Sequence, residues 1–337
     1  MTKKYYQSLF EACEAIGVEP VSEFSLTPNR WTRGNTLKAN GKKDASFFIF
    51  DDGQGGLIKN FQTGDCVQWR CTQGPTVLSG EQINEIRAKQ EAYAKLLREE
   101  QLEKAHEAQD FYKSCEKAKC LHPYLKTKGL KPFSGVRMCT SEHFEEVFGY
   151  VPKGSKGTLL DPLLVIPIRG WLSGSLAIQT LQFIDPDGQK YFFYGGRKKG
   201  AFWLSEKLPE QRTAKPVLVL GEGLATVMSV VQHTNYSCIG VMVCDCGNFM
   251  AVATELRKRF PLAIMIILSD VGNGEKQAKE ASQAVGAILQ KPSFSADEIE
   301  LFKQKFNGKK PSDWNDFYLI HDLNTGASYD RFDSKQH

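Results

Sequence analysis

The chain has 337 residues, 41% of them hydrophobic, with 43 Lys and Arg against 39 Asp and Glu for a net charge of +4. That length allows two domains and a linker, and the apolar fraction excludes a globally disordered chain. The charge is too mild to demand a polyanionic partner and does not oppose one, since local basic clusters decide that question. The N-terminal stretch MTKKYYQSLFEACEAIGV lacks an apolar signal-peptide core, and the most apolar run, Leu262 to Leu268, is too short to span a bilayer. A cytoplasmic protein without membrane contact is expected, its nine cysteines reduced. No CxxC pair occurs. Cys115, Cys120, His122 and Cys139 are a spread that could be gathered round a metal, but buried small thiols are the commoner use.

In chain order, residues 1–78 read as a small α+β module. Leu9, Ala12 and Ile16 recur at helical spacing before Gly17 stops the helix. Ser46 to Phe50 and Leu57 to Phe61 read as strands parted by an Asp-Gly-rich turn. Residues 79–120 are charged and free of Gly and Pro after Gly80, which predicts a solvated connecting helix. Residues 121–214 are β-rich: Leu163 to Ile168, Ser175 to Ile184 and Tyr191 to Tyr194, with Asp185-Pro186-Asp187-Gly188 as a hairpin turn. From 215 to 325 strands and helices alternate, which favours a mostly parallel sheet in an α/β domain. Strands are expected at Val217–Leu220, Tyr236–Val243 and Ala263–Leu268, and helices at Leu224–Gln232, Met250–Arg259 and Lys276–Leu289, with a last element near Ile299–Phe302. Residues 326–337 form a tail.

Open parallel sheets bind ligands at the carboxyl ends of their strands. Val217 to Leu220 runs into Gly221-Glu222-Gly223, and Ala263 to Leu268 runs into Ser269-Asp270. Lys310-Pro311-Ser312-Asp313-Trp314-Asn315-Asp316 places two further acids in a turn-like segment. An acid after a strand is more often a helix cap or a solvated loop residue. Several in this order suit a Mg²⁺ site that leaves room for substrate phosphates.

Basic residues cluster in three places. Tyr194-Gly195-Gly196-Arg197-Lys198-Lys199-Gly200 sets three cations among glycines, a loop suited to phosphates, with Arg169 and Lys190 as neighbours in the hairpin reading. Lys126 and Lys128 lie in a second basic stretch that also contains His122, Lys131 and Arg137. In the N-terminal module Arg30, Trp31 and Arg33 interleave cations with an aromatic, with Lys38, Lys42, Lys43, Lys59 and Trp69 further on, as suits single strands; Trp69 is expected in the small core.

The ordered set GEGLATVMSV, CDCGNFMAVATELRKRFP, IILSDVGNGEKQAKEA and KPSDWNDF resembles the TOPRIM domain of plasmid and phage (mobile-element) primases. HPYLKTKGL, LLVIPIRG and LQFIDPDGQKYFFYGGRKKGAFW resemble the segment before TOPRIM in those primases, and FDDGQGGLIKNFQTGDCVQW their N-terminal module. The resemblance implies a Rossmann-like TOPRIM domain behind a β-rich primase segment and a small template-binding module, here without evident zinc ligands. It implies Glu222 as general acid/base, Asp270, Asp313 and Asp316 at Mg²⁺ or Mn²⁺, and RNA primer synthesis from ribonucleoside triphosphates on single-stranded DNA. A replicative helicase would be a separate partner, as the chain has no GxxxxGK[ST] motif. The family's Asp-x-Asp pair is broken: Asp270 faces Leu268 on one side and Gly272 on the other, so the second acid is absent or comes from elsewhere, for example Glu275 or Asp245. A TOPRIM nuclease and a non-catalytic single-strand-binding protein with a degenerate site remain as alternatives.

Overall fold

The computed structural model describes residues 5–22, 25–37, 43–71, 80–118, 122–131, 133, 135–172, 174–210, 213–272 and 274–325. The tail at 326–337, together with Lys38, Lys42 and Cys120, lies outside the described residues. The chain forms two compact units, residues 1–91 and 92–337.

The first unit contains β1 (Tyr5–Tyr6), α1 (Leu9–Ala15), β2 (Trp31–Gly34), β3 (Ala45–Ile49), β4 (Gly55–Asn60) and β5 (Cys66–Arg70). They build one sheet in the order β1-β5-β4-β3-β2, antiparallel except for β1 against β5. Ser8 caps α1 by accepting from the Glu11 N–H at 3.2 Å. One face of the sheet buries Phe47, Ile49, Ile58 and Trp69 against Leu9, Ala12 and Cys13 of α1. Side chains alternate faces along a strand, so the neighbours of these core residues point to the other side.

A long helix, α2 (Gly80–Ser114), leads into the second unit. The expectation of a solvated connector over 79–120 is corrected at its C-terminal third. Ala108, Phe111 and Tyr112 are buried, and Phe111 and Tyr112 join a core with Phe144, Leu163, Leu181 and Phe183. The charged residues between these positions mask an apolar stripe at i, i+3 and i+4. The helix also stops earlier, since β6 begins at Glu116.

The second unit opens with β6 (Glu116–Lys117), α3 (Pro123–Thr127), β7 (Arg137–Cys139), α4 (Ser141–Phe148), a small hairpin of β8 (Lys153–Gly154) and β9 (Gly157–Thr158), then β10 (Leu163–Leu172), β11 (Ser175–Ile184) and β12 (Lys190–Phe192). An antiparallel sheet runs β12-β11-β10-β7-β6. After β13 (Trp203–Leu204) the chain alternates: β14 (Val217–Gly221), α5 (Leu224–His233), β15 (Ile239–Met242), α6 (Phe249–Arg259), β16 (Ile264–Leu268), α7 (Glu275–Val285), β17 (Ile288–Gln290), α8 (Ala296–Lys305) and α9 (Trp314–Thr325). Their sheet runs β13-β15-β14-β16-β17, with β15, β14, β16 and β17 mutually parallel and β13 antiparallel at the edge.

The expected helix Lys276–Leu289 is shortened. Gly286 takes the left-handed conformation (φ 62°) that ends α7, and Ile288 to Gln290 become an edge strand. The turn-like segment around Asp313 and Asp316 is also revised, because α9 starts at Trp314 and puts Asp316 in its first turn.

The β-rich segment at 121–214 and the α/β segment at 215–325 share a core. Leu164, Ile166 and Ile168 of β10 share one core with Val219 of β14 and Val227, Met228 and Val231 of α5. The other face of the parallel sheet packs Leu218, Leu220, Met265 and Ile267 on α6 and α7. Strands covered on both faces read as continuous apolar runs, which is the pattern in VLVL and IMIIL.

Candidate active site

From β14 the chain goes to β15 on one side, then crosses back to β16 on the other. This reversal opens a crevice at the carboxyl ends of β14 and β16, where ligands bind in sheets of this kind. Glu222 follows β14 and Asp270 follows β16 by two residues. Gly221 is required by close approach: a Cβ there would sit 2.8 Å from Val227 Cγ2. Beyond it α5 begins, and Gly223, Ala225 and Thr226 line a cleft of about 510 Å³. Glu222, Asp270 and Asp313 line the same cleft, together with Lys128, Lys190, Tyr124 and Gln182.

Asp313 reaches the cleft through the start of α9. Its Oδ1 accepts from the Asp316 N–H at 2.8 Å, which caps the helix. The Val271 N–H donates to the Ser312 carbonyl at 2.7 Å and ties the Asp270 loop to this turn. Buried Asn315 donates to the Lys128 carbonyl at 2.7 Å and to Ser229 Oγ at 2.9 Å, which fixes α9 on the α3 segment and α5. Asp316 differs from its expected role. It is 1% exposed, accepts from the Ser312 N–H at 3.0 Å and pairs with Lys309 at 3.3 Å. With its oxygens so engaged, and absent from the cleft lining, it is a positioning group for the turn.

Like charges and burial act together here. Burial first, then Asp313 and Glu222, raise the Asp270 carboxyl to about 7. Burial, then Asp245, raises Glu222, and Lys190 opposes this. Asp313 is also raised by burial and by Asp316, against the pull of the Asp316 N–H bond. Burial lowers Lys128, and Asp313 opposes that shift. Asp270 Oδ1 is buried with no hydrogen-bond partner. An orphaned carboxylate oxygen among other acids suits a hard cation. Among the described residues no three Asp, Glu, His or Cys side chains are grouped closely enough to hold a metal unaided. Two carboxylates completed by water and substrate phosphates is the usual Mg²⁺ arrangement, so the residues fit.

Neither suggested replacement for the missing acid lines the cleft, and they differ in what they act on. Asp245 acts directly on Glu222. Glu275 pairs with Lys291 at 2.8 Å and accepts from the Gly272 N–H at 2.6 Å, outside the cleft. Asp245 was visible in sequence only as the acid of CDC after β15, the third parallel strand. Gln182, a buried cleft residue inside the apolar run of β11, gave no signal.

The expected phosphate cations disperse. Lys190 and Lys128 line the cleft. Lys198 lies 4.7 Å over the Phe192 ring and acts on Cys244 of the cleft. Lys199 is exposed in the same loop, and Lys126 is exposed on α3; neither lines the cleft. Arg197 turns inward, half-buried, and donates to Gln179 Oε1 at 3.0 Å. Arg169 faces a different concavity of about 770 Å³, of mixed charge, beside Trp171 and Arg259. Gly170 of β10 leaves room for Arg197, since a Cβ there would sit 2.8 Å from the Arg197 guanidinium. Of the Cys and His set, Cys115 and Cys139 are buried, and His122 caps α3, accepting from the Tyr124 N–H at 3.1 Å. In the N-terminal unit Arg30, Trp31 and Arg33 are exposed, whereas Trp69 is fully buried.

No helix among the described residues is long and apolar enough to cross a membrane. No family model matches the chain. The primase fragment of the bacteriophage T7 primase–helicase protein is a structural neighbour at 14% identity and TM-score 0.35, over 51% of this chain and 64% of that one. Two Escherichia coli proteins named DNA primase TraC are each 28% identical to this chain, over 309 and 311 residues. The chain spans 26% and 19% of the length of these relatives, so through 86% of its residues it is similar to one portion of a DNA primase.

Proposed function

We propose that the chain is a primase of mobile-element type with a TOPRIM domain, and that it joins ribonucleotides on a single-stranded DNA template in the cleft between β14 and β16. The similarity to the TraC primases supports the class. The observation that carries the chemistry is the convergence of Glu222, Asp270 and Asp313 on one cleft that Lys128 and Lys190 also line.

Asp270 and Asp313 would hold Mg²⁺ or Mn²⁺. Such an ion supplies charge neutralisation at the transferring phosphoryl group. Glu222, held above the ordinary carboxyl range by burial and by Asp245, is poised to take the proton of the attacking 3′-hydroxyl. That hydroxyl attacks the α-phosphate of the next nucleotide, and pyrophosphate leaves. Lys190 and Lys128 bind triphosphate oxygens, and the first N–H groups of α5 point partial positive charge at the same region. Asp316, Asn315 and Ser312 keep Asp313 in place.

The test is primer synthesis from ribonucleotides on single-stranded DNA, with wild type and Glu222→Gln. Short products that need a divalent metal are expected, reduced on the order of 100-fold or more in the variant. Undiminished synthesis by the variant removes Glu222 from the reaction. Cleavage of the labelled strand in place of extension transfers the same cleft to a nuclease.

A further inference from the structure

Two side chains that line the cleft hold a buried polar atom with no hydrogen-bond partner among the described residues. One is Asp270 Oδ1, which lies among acids and suits a cation. The other is Gln182 Oε1, on β11. Gln182 is 2% exposed. The strand registers set it directly between Ile166 of β10 and Phe192 of β12. Directly opposite residues share a sheet face, so an apolar side chain flanks the amide on either side. Neither neighbour can bond it.

The same strand satisfies its other buried polar groups. Gln179 Oε1 accepts from Arg197 Nε at 3.0 Å, and Gln179 Nε2 donates to the Ala177 carbonyl at 3.2 Å. Thr180 Oγ1 donates to the Phe193 carbonyl at 3.4 Å. A buried acceptor left unpaired is destabilising, and native proteins keep few of them. An apolar side chain of similar volume would pack between Ile166 and Phe192 without that penalty. A ligand that completes the amide accounts for its place. The cleft, about 510 Å³, has the size of a small-molecule site. Phosphate oxygens accept, so they suit Lys128 and Lys190 and cannot bond a carbonyl oxygen. The donors of a base differ from one base to the next and are used in pairing with a template. Ribose hydroxyls donate, are the same in all four ribonucleotides, and stay free in a base pair.

We infer that Gln182 reads the sugar of a nucleotide in the cleft, its Oε1 accepting a hydrogen bond from a ribose hydroxyl. The inference rests on the cleft being the nucleotide site of the proposed function, and it names the residue that tells one sugar from another there. A site built to bond a hydroxyl rejects the analogue that lacks it, because the site's own polar group is then left unpaired.

The experiment uses the full chain with Mg²⁺ in equilibrium dialysis against radiolabelled GTP, 2′-deoxy-GTP and 3′-deoxy-GTP. Wild type should bind GTP about 10-fold more tightly than one of the two deoxy analogues, and that analogue identifies the hydroxyl. Gln182→Met should weaken GTP binding about 10-fold and hold all three nucleotides alike, and Gln182→Leu should do the same. Without nucleotide, both variants should melt no lower than wild type, since the change removes an unpaired polar atom and keeps the volume. No preference among the three nucleotides in wild type, a preference in Gln182→Met equal to that of wild type, or a lower melting temperature in both variants overturns the inference. Primer synthesis is run alongside. Primers made by wild type, with the sugar preference unchanged in Gln182→Met, sink the role of Gln182 and spare the primase reading. Loss of the sugar preference in Gln182→Met, with no primers made by wild type, sinks the primase reading and spares Gln182.

Discussion

The acidic cleft and the N-terminal sheet face use opposite physics. The cleft gathers half-buried groups of like charge, each of which raises the proton affinity of the next. The sheet face turned away from α1 uses exposed rings and cations that already satisfy one another. A site of the first kind is destabilising until its ligand arrives. A surface of the second kind stands at little cost to the fold. Changes in the cleft should therefore move stability and activity in opposite directions, and changes on the sheet face should leave stability as it is.

The largest expected effect sets the scale for that comparison inside one unit. Trp69 and Trp31 belong to the same sheet, but Trp69 is fully buried on the α1 face. Trp69→Ala should cost about 3–5 kcal/mol in denaturant unfolding. A small loss there would mean that the two faces are not distinguished as described. Next comes Asp270→Asn, which should reduce primer synthesis about 100-fold, about 2.7 kcal/mol of transition-state stabilisation. Retained synthesis would place the metal elsewhere.

The same Asp270→Asn change should raise the melting temperature of the metal-free protein. Relief of about 1 kcal/mol of repulsion corresponds to a rise of roughly 2–4 °C. The sign follows from linkage: a carboxyl raised to about 7 from 3.8 binds its proton more tightly in the folded chain. Its contribution is fully present below the unfolded value and is lost as pH rises through the folded one. Metal-free wild type should thus melt higher near pH 5 than near pH 7.5, and Asp270→Asn should flatten that difference. Added Mg²⁺ should reverse the trend by stabilising the ionised form. The smallest expected effect is that of Trp31→Ala on stability, within about 0.5 kcal/mol; a larger loss in urea melts would make that ring part of the core.

Glu222 and Asp270 were legible in sequence because both follow apolar runs whose type and glycine punctuation mark strand ends. Asp313 was legible as a motif acid, but its route into the cleft was not. That route depends on the Val271–Ser312 and Asn315–Lys128 bonds, which join residues far apart in sequence. The same acidic motif did not separate Asp313, which lines the cleft, from Asp316, which is spent on the turn. Arg197 shows the converse limit, since a cation between glycines looks solvated until its partner Gln179, 18 residues away, is placed beside it. In α2 dense Glu and Lys obscured the Ala108, Phe111 and Tyr112 stripe. The edge strand β17 was hidden because short apolar runs carry no period that tells strand from helix.

The most direct check of the account is the number of Mn²⁺ ions bound by the full chain, read by electron paramagnetic resonance with and without a ribonucleoside triphosphate. Wild type should bind Mn²⁺ weakly alone and more tightly with the triphosphate, because two carboxylates leave coordination positions for phosphate oxygens. Asp270→Asn should lose most of that binding. Mn²⁺ bound equally well by wild type and Asp270→Asn, under both conditions, would contradict the cleft as the metal site.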